Sequence, residues 1–124
     1  MPRYAALIYG SETDPTAVSP EDWAAEMAQY NDFGAAAGAA GVIAGGEALQ
    51  PTTTATTIHV KGGAKGGELV LTDGPFAETK EVLGGFYLLE CADLDAAIKW
   101  AAQIPGAWRG RVEVRPVFDF SQQA

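Results

Sequence analysis

The sequence predicts an α+β fold of the β-α-β-β-α-β type with an inserted β-hairpin. Small and apolar residues recur at helical spacing over 20–41 and 94–104, and the apolar or alternating runs around them predict strands. A sheet of this type carries helices on one face only, so its other face needs a cover, which a symmetric dimer supplies. We expect a single domain over 1–124, a homodimer, and a frayed tail at 119–124.

A strand and a long helix open the predicted fold. Residues 4–9 are apolar on both alternating faces, which is typical of a strand covered on two sides. Ser19 is the predicted N-cap of the helix, because a proline and two acidic residues follow it, and Gly41 is its predicted terminator. The apolar stripe of this helix includes Trp23 and Tyr30, and we expect both in the core rather than against a ligand.

The remaining elements follow from similar patterns. Strands are predicted at 42–44, 56–61, 68–72, 85–91 and 111–115, with 56–61 and 68–72 forming the hairpin, and a second helix is predicted to start after its N-cap Asp93 and to end at Pro105.

The composition excludes several classes of function. Eight Lys and Arg against sixteen Asp and Glu give a net charge of −8, which disfavours binding to a phosphate backbone. Cys91 is the single cysteine and His59 the single histidine, so neither an intrachain disulfide nor a zinc site of the usual type is expected. No segment resembles a signal peptide or a membrane span. We expect a cytoplasmic protein with no cofactor, no metal, no nucleic-acid partner and no membrane contact.

The stretch 71–81 is the strongest candidate for a functional loop. Asp73 lies where a predicted strand ends, since Gly and Pro follow it directly. Phe76 is predicted to bury and fix the loop, which would leave Glu78 and Lys80 facing a pocket above the sheet. The alternative is a turn of ordinary kind, in which Asp73 forms an Asx turn and the charged side chains are solvated.

Three further residues are candidates for the same pocket. Tyr9 ends the first strand and supplies either a pocket hydroxyl or an aromatic at the core edge. Glu47 follows two glycines and either points into a cavity or lies at a solvated edge. His59 falls on the polar face of a strand, where it is either a catalytic or a solvent-facing histidine.

The run 73–81, together with Gly84, Gly85 and Phe86, resembles the signature of the DGPF-motif branch of the YCII-related family. We call the run 73–81 the DGPF segment. Segments 45–51 and 112–116 also resemble that family. The resemblance implies a dimeric α+β barrel of ferredoxin-like units, often encoded beside sigma factors of the extracytoplasmic-function type. Some YCII-related relatives are small-molecule enzymes, including lyase-type dehydrochlorinases, that use a His-Asp pair. Their histidine lies on the first helix, whereas residues 21–40 contain none, so that pair does not carry over.

Two functions remain open from the sequence. The first is an enzyme that moves a proton on a small, enolisable or aromatic molecule, as an isomerase or lyase, with Glu78 as general base, Asp73 as its partner and His59 as a further catalytic candidate; Tyr9, Glu47, Phe76 and Lys80 would bind the substrate. The second is a non-catalytic dimer that binds a ligand or assists a sigma-factor pathway. A purely structural dimer locked by the DGPF segment is a third reading of the same residues.

Overall fold

The computed structural model describes residues 1–12, 18–77 and 79–122. In chain order its elements are β1 (Arg3–Ser11), α1 (Pro20–Ala39), β2 (Ile43–Ala48), β3 (Thr56–Lys61), β4 (Glu68–Asp73), β5 (Glu81–Glu90), α2 (Leu94–Ala101), α3 (Pro105–Arg109) and β6 (Arg111–Pro116), with single turns of 3-10 helix at Thr52–Thr54 and Phe120–Gln122.

The strands form one sheet and a separate hairpin. The sheet has four antiparallel strands in the order β2-β5-β1-β6, and β3 pairs only with β4. This arrangement confirms the predicted α+β fold with an inserted hairpin. A bulge interrupts the β1–β5 ladder, because Ile8 pairs with Gly85 while Tyr9 pairs with Leu83.

Local capping chemistry sets the ends of the two longer helices, as the sequence predicts. The Ser19 hydroxyl accepts a hydrogen bond of 3.1 Å from the Asp22 amide at the start of α1. The Asp93 carboxylate accepts one of 2.9 Å from the Ala96 amide at the start of α2. Gly41 follows α1 with a φ of +71°, the left-handed conformation that commonly ends a helix.

Three predicted boundaries are wrong. β2 runs through both glycines to Ala48, because its backbone pairs with β5 and that ladder needs no side chains. β5 begins at Glu81 rather than at 85. Pro105 does not end the second helix, which closes at Ala101; it starts α3, where its fixed φ and missing amide hydrogen suit the first turn.

The core lies between the helices and one face of the sheet. Its buried members come from strands β1 and β5, from helices α1 and α2 and from the segments beside them: Tyr4, Ala6, Phe33, Ala37, Val42, Leu89, Cys91, Ala97, Ala101 and Ile104. The rings of Phe33 and Tyr87 meet edge to face with centroids 5.1 Å apart, which fastens α1 to β5.

The opposite face of the sheet has no helix packed on it. Strand alternation places Leu7, Phe86 and Leu88 on this face, where they are partly exposed. Charged pairs on strand β6 flank them, since Arg111 contacts Glu81 at 2.5 Å and Arg115 pairs with Glu113. We call this apolar centre with its charged border the open sheet face.

The hairpin extends from the end of β2 with its aliphatic side chains in solvent. Ile58 pairs with Leu71, and Val60 with Leu69, and these side chains are 36–64% exposed. The Thr57 hydroxyl donates to the Gly74 carbonyl at 2.8 Å, which ties the base of the hairpin to the DGPF segment. Among the described helices, none is long and apolar enough to cross a membrane.

Candidate functional site

A cavity of about 710 Å³ lies beneath the first half of α1. The helix forms its roof, strands β1, β2 and β5 form its floor, and α3 closes one side. Its lining is Ile8, Tyr9, Gly10, Ser11, Trp23, Glu26, Met27, Tyr30, Gly46, Glu47, Ala48, Val82, Gly84, Gly85, Phe86, Tyr87, Gly106, Arg109 and Gly110.

The cavity exists because the apolar stripe of α1 has glycine beneath it. Trp23 and Met27 stand on the face of α1 that meets the sheet, yet they are 59% and 43% exposed. The strands below them carry Gly10 and Gly84, so there are no side chains to fill the space. The prediction that Trp23 belongs to the core is therefore wrong. Tyr30, one turn further along, both packs against the core and lines the cavity.

Arg109 connects α3 to the roof of the cavity. Its guanidinium donates a hydrogen bond to the side-chain oxygen of Gln29 and lies 4.0 Å from the Glu26 carboxylate. A solvent-exposed ion pair of this length contributes little to stability, roughly 0–1 kcal/mol. The ion pair instead keeps the Arg109 and Glu26 side chains together at the cavity rim, beside apolar walls.

The hydroxyl group of Tyr30 stays protonated at neutral pH. Burial raises its pKa above the ordinary value of 10.0, and the Glu26 carboxylate raises it further, while Arg109 and the Gly106 backbone oppose the shift. Burial also raises the pKa of Tyr87 on the floor. Both phenols therefore offer a ligand a hydrogen-bond donor rather than a negative charge.

These shifts predict how stability responds to alkaline pH. Because the folded pKa of Tyr30 exceeds its unfolded value of 10.0, the associated stabilisation is complete below pH 10.0 and is lost as pH rises through the folded pKa. We expect Tyr30→Phe to reduce the alkaline fall in the free energy of unfolding, measured by urea titrations across that range. A fall of the same slope in the parent and the variant would contradict this assignment.

Among the nominated residues that the structure describes, two contribute to the cavity lining. Tyr9 and Glu47 line the cavity. Asp73 ends β4 opposite Thr56, and His59 lies opposite Val70 within the hairpin, so neither contributes to the cavity lining.

The described residues of the DGPF segment lie outside the cavity lining, whereas Gly84, Gly85 and Phe86, which follow it, belong to that lining. Phe76 is 91% exposed, so the prediction that it buries and fixes the loop is wrong: Gly74 and Pro75 turn the chain outward before it. Lys80 is exposed and does not line the cavity either. Glu78 is outside the described residues, and its role as a general base stays a prediction, as do the catalytic roles of Asp73 and His59.

The last residue of the DGPF segment has a structural contact. Glu81 begins β5, and one of its carboxylate oxygens lies 2.5 Å from the Arg111 guanidinium on β6. Its other oxygen is buried without a hydrogen-bond partner among the described residues. The segment therefore ends in a bond that crosses β1 and fixes where β5 starts relative to β6.

Three residues of the cavity lining escaped the sequence argument. Glu26, Met27 and Arg109 line the cavity, although none was nominated. A signal for the first two existed, since both lie three or four residues after Trp23 and share its helix face. No signal existed for Arg109, because its approach to Glu26 depends on packing between segments 83 residues apart.

Metal binding finds no support in this arrangement. Across the part of the chain that the structure describes, no three His, Cys, Asp or Glu side chains are grouped as ligands.

Comparison with known proteins shows which family the chain belongs to. The family model of the YCII-related domain matches residues 3–121. The chain belongs to the YCII-related family. This YCII-related protein is also 40% identical over 123 residues to an uncharacterized protein of Rhizobium meliloti (strain 1021), an alignment that covers 92% of this chain and 90% of that protein.

Proposed function

We propose that this YCII-related protein binds a small organic molecule in the cavity beneath α1. The observation that carries the proposal is the cavity itself, whose volume of about 710 Å³ falls within the range of roughly 300–1,000 Å³ that ligand pockets occupy. Its walls are mainly apolar and aromatic, and a few polar groups converge at the rim: Tyr30, Glu26 and Arg109. Such a combination favours a bound ligand of metabolite size.

A binding role fits these residues better than the acid–base mechanism that the sequence suggests. Asp73 and His59, two of the nominated catalytic groups, do not reach the cavity lining. The proposal therefore takes the non-catalytic alternative: a ligand-binding or regulatory accessory protein.

We extend the proposal to the branch of the family, the oligomeric state and the cellular location. The DGPF segment supports membership of the DGPF-motif branch. The open sheet face supports a homodimer in which two sheets face each other as a barrel, because its apolar centre and charged border suit a self-complementary contact. The lone Cys91 supports a cytoplasmic location.

The test of the cavity compares the parent with a variant in which it is partly filled. A metabolite library is screened by thermal shift, and the dissociation constant of each hit is measured by calorimetry for the parent and for Gly10→Val. Gly10 lies on the same strand face as Ile8, and a Cβ added there meets no atom within 4 Å, so valine fits the fold while occupying the cavity. We expect hits to bind the variant at least about tenfold more weakly, since the added side chain takes up ligand volume.

Thr72→Val serves as the control, because it places a valine on a strand outside the cavity lining. Its affinity for each hit should match that of the parent. Equal binding to Gly10→Val and the parent, with both folded, would place the ligand elsewhere and defeat the proposal, as would a library that yields no ligand.

A further inference from the structure

The strand register decides which side chains of the sheet face the cavity. Ala6 is buried against the helices, so its partner Tyr87 and every second position along the paired strands face the helices too. Beside the cavity these positions carry mostly small residues: Gly10 on β1, Gly46 and Ala48 on β2, and Gly85 on β5. Glu47 pairs with Phe86 on the open sheet face, so the Glu47 carboxylate points away from the cavity.

The small residues form a floor that suits a flat molecule. Trp23 and Met27 stand above it on the face of α1 that meets the sheet, and both side chains are exposed. A Cβ added at Gly10 meets no atom within 4 Å, and the φ of Gly10 is not positive, so neither packing nor backbone conformation requires glycine there. The space beneath the Trp23 indole can hold an aromatic ring, which an exposed indole binds by stacking.

Two phenol hydroxyls enter the cavity, Tyr30 from the roof and Tyr87 from the floor. The Tyr30 oxygen lies beside the α3 backbone, because a Cβ built at Gly106 would be 3.1 Å from it. The Gly106 backbone lowers the pKa of Tyr30, which is the effect of an amide that donates to the phenol oxygen, so the phenol hydrogen is left for another acceptor. Burial raises the pKa of Tyr87, whose hydroxyl has no hydrogen-bond partner among the described residues. Both phenols therefore have a hydrogen to donate.

The charges near these hydroxyls disfavour a charged ligand of either sign. Glu26 and Arg109 lie 4.0 Å apart, and the Arg109 guanidinium also donates to Gln29. An anion would approach Glu26 in a protein whose net charge is −8. A cation would approach Arg109 and would bring donor hydrogens toward two phenols that are themselves donors. An uncharged oxygen acceptor meets neither obstacle.

We infer that the ligand is an uncharged aromatic carbonyl compound, with its ring between Trp23 and the small residues of the floor and its carbonyl oxygen accepting hydrogen bonds from Tyr30 and Tyr87. The inference rests on the proposed function, since it names the ligand class of the same cavity. It also gives the two phenols a defined role: they select an oxygen acceptor, while Trp23 and the floor hold the ring whatever its substituent.

The test uses four naphthalene probes whose planar substituents have nearly the same shape: 2-acetonaphthone, 2-isopropenylnaphthalene, 2-naphthoate and 2-naphthamidine. Dissociation constants are measured by equilibrium dialysis for the parent, Tyr30→Phe, Tyr87→Phe and Tyr4→Phe. Tyr4 is buried on the same face of β1 but outside the cavity lining, so its variant loses the same hydroxyl away from the ligand. We expect the parent to bind the ketone at least about tenfold more tightly than the hydrocarbon or either charged probe.

Tyr30→Phe and Tyr87→Phe should each weaken the ketone by about three- to tenfold and leave the hydrocarbon within about twofold, because only the ketone accepts a hydrogen bond. Tyr4→Phe should alter neither affinity. Naphthoate or the amidine binding as tightly as the ketone would overturn the inference and leave the proposed function standing. A ketone preference that survives both cavity variants would overturn the role of the phenols. Binding of none of the four probes would also overturn the inference, whereas the proposed function is decided separately by the metabolite library and Gly10→Val.

Discussion

A Leu7→Asp variant of this YCII-related protein should be monomeric under conditions in which the parent chain is a dimer. Leu7 lies at the centre of the open sheet face, between its cross-strand neighbours Phe86 on β5 and Glu113 on β6. If a second copy covers this face, the new carboxylate is buried without a partner, which costs several kcal/mol. The dimer dissociation constant should rise on the order of 100-fold or more, as measured by sedimentation equilibrium.

The control for this variant is Gln103→Asp. Gln103 is exposed and follows α2, on the helix side of the molecule, so it receives the same aspartate away from the open sheet face. It should leave dimerisation unchanged. Circular dichroism spectra must agree among the three proteins, so that dissociation is not confused with unfolding. A parent chain that is monomeric at micromolar concentration would refute the dimer, and a dimeric Leu7→Asp would show that another surface forms it.

Gly110→Ala should be among the most destabilising single changes in the chain. A Cβ at this position would lie 2.1 Å from the Tyr9 carbonyl oxygen and 3.0 Å from the Gly10 Cα, and backbone atoms cannot rotate aside as a side chain can. The junction of α3 and β6 must therefore move away from β1. Overpacking of this kind costs about 1–3 kcal/mol, and we expect the upper end of that range in urea unfolding. Because Arg109 precedes this junction, the cavity rim should also shift and ligand affinity should fall.

Gly84→Ala provides a matched comparison, since it adds the same methyl group to the same cavity where nothing lies within 4 Å. Its free energy of unfolding should equal or exceed that of the parent by up to about 1 kcal/mol, because alanine restricts the unfolded chain more than glycine does. If both variants lose the same stability, the close contact at Gly110 does not govern the packing of α3. If Gly110→Ala is as stable as the parent, the junction is more adaptable than its geometry indicates.

The elements whose signals are local could be predicted from the sequence. The caps Ser19 and Asp93 and the terminator Gly41 act within three residues of where they stand, so their chemistry is the same in the sequence and in the fold. Hairpin strands with aliphatic alternation were also recognisable, and β3 matches its predicted span. Where a signal was ambiguous, as at Pro105, the prediction failed, because proline both ends one helix and starts the next.

The candidate site was only partly predictable, for a different reason. Tyr9 and Glu47 were nominated from strand ends and glycines, and both line the cavity. Phe76 was nominated from hydrophobicity alone, and it lies in solvent because the turn before it directs the chain outward. The hydrophobicity of a side chain indicates that its burial is favourable, but not whether the fold provides a surface for it to pack against.

The sequence by itself determined the kinds of element, the helix caps, the acidic balance and the specific DGPF segment, since each depends on neighbouring residues or on composition. The tertiary structure alone decided that Trp23 forms a cavity wall and that Arg109 joins Glu26 at the rim. Both depend on register between distant segments: the stripe of α1 lies over Gly10 and Gly84, where a sheet with larger side chains would have closed the space. A pattern on one helix cannot show what stands opposite it, and the cavity is a property of that pairing.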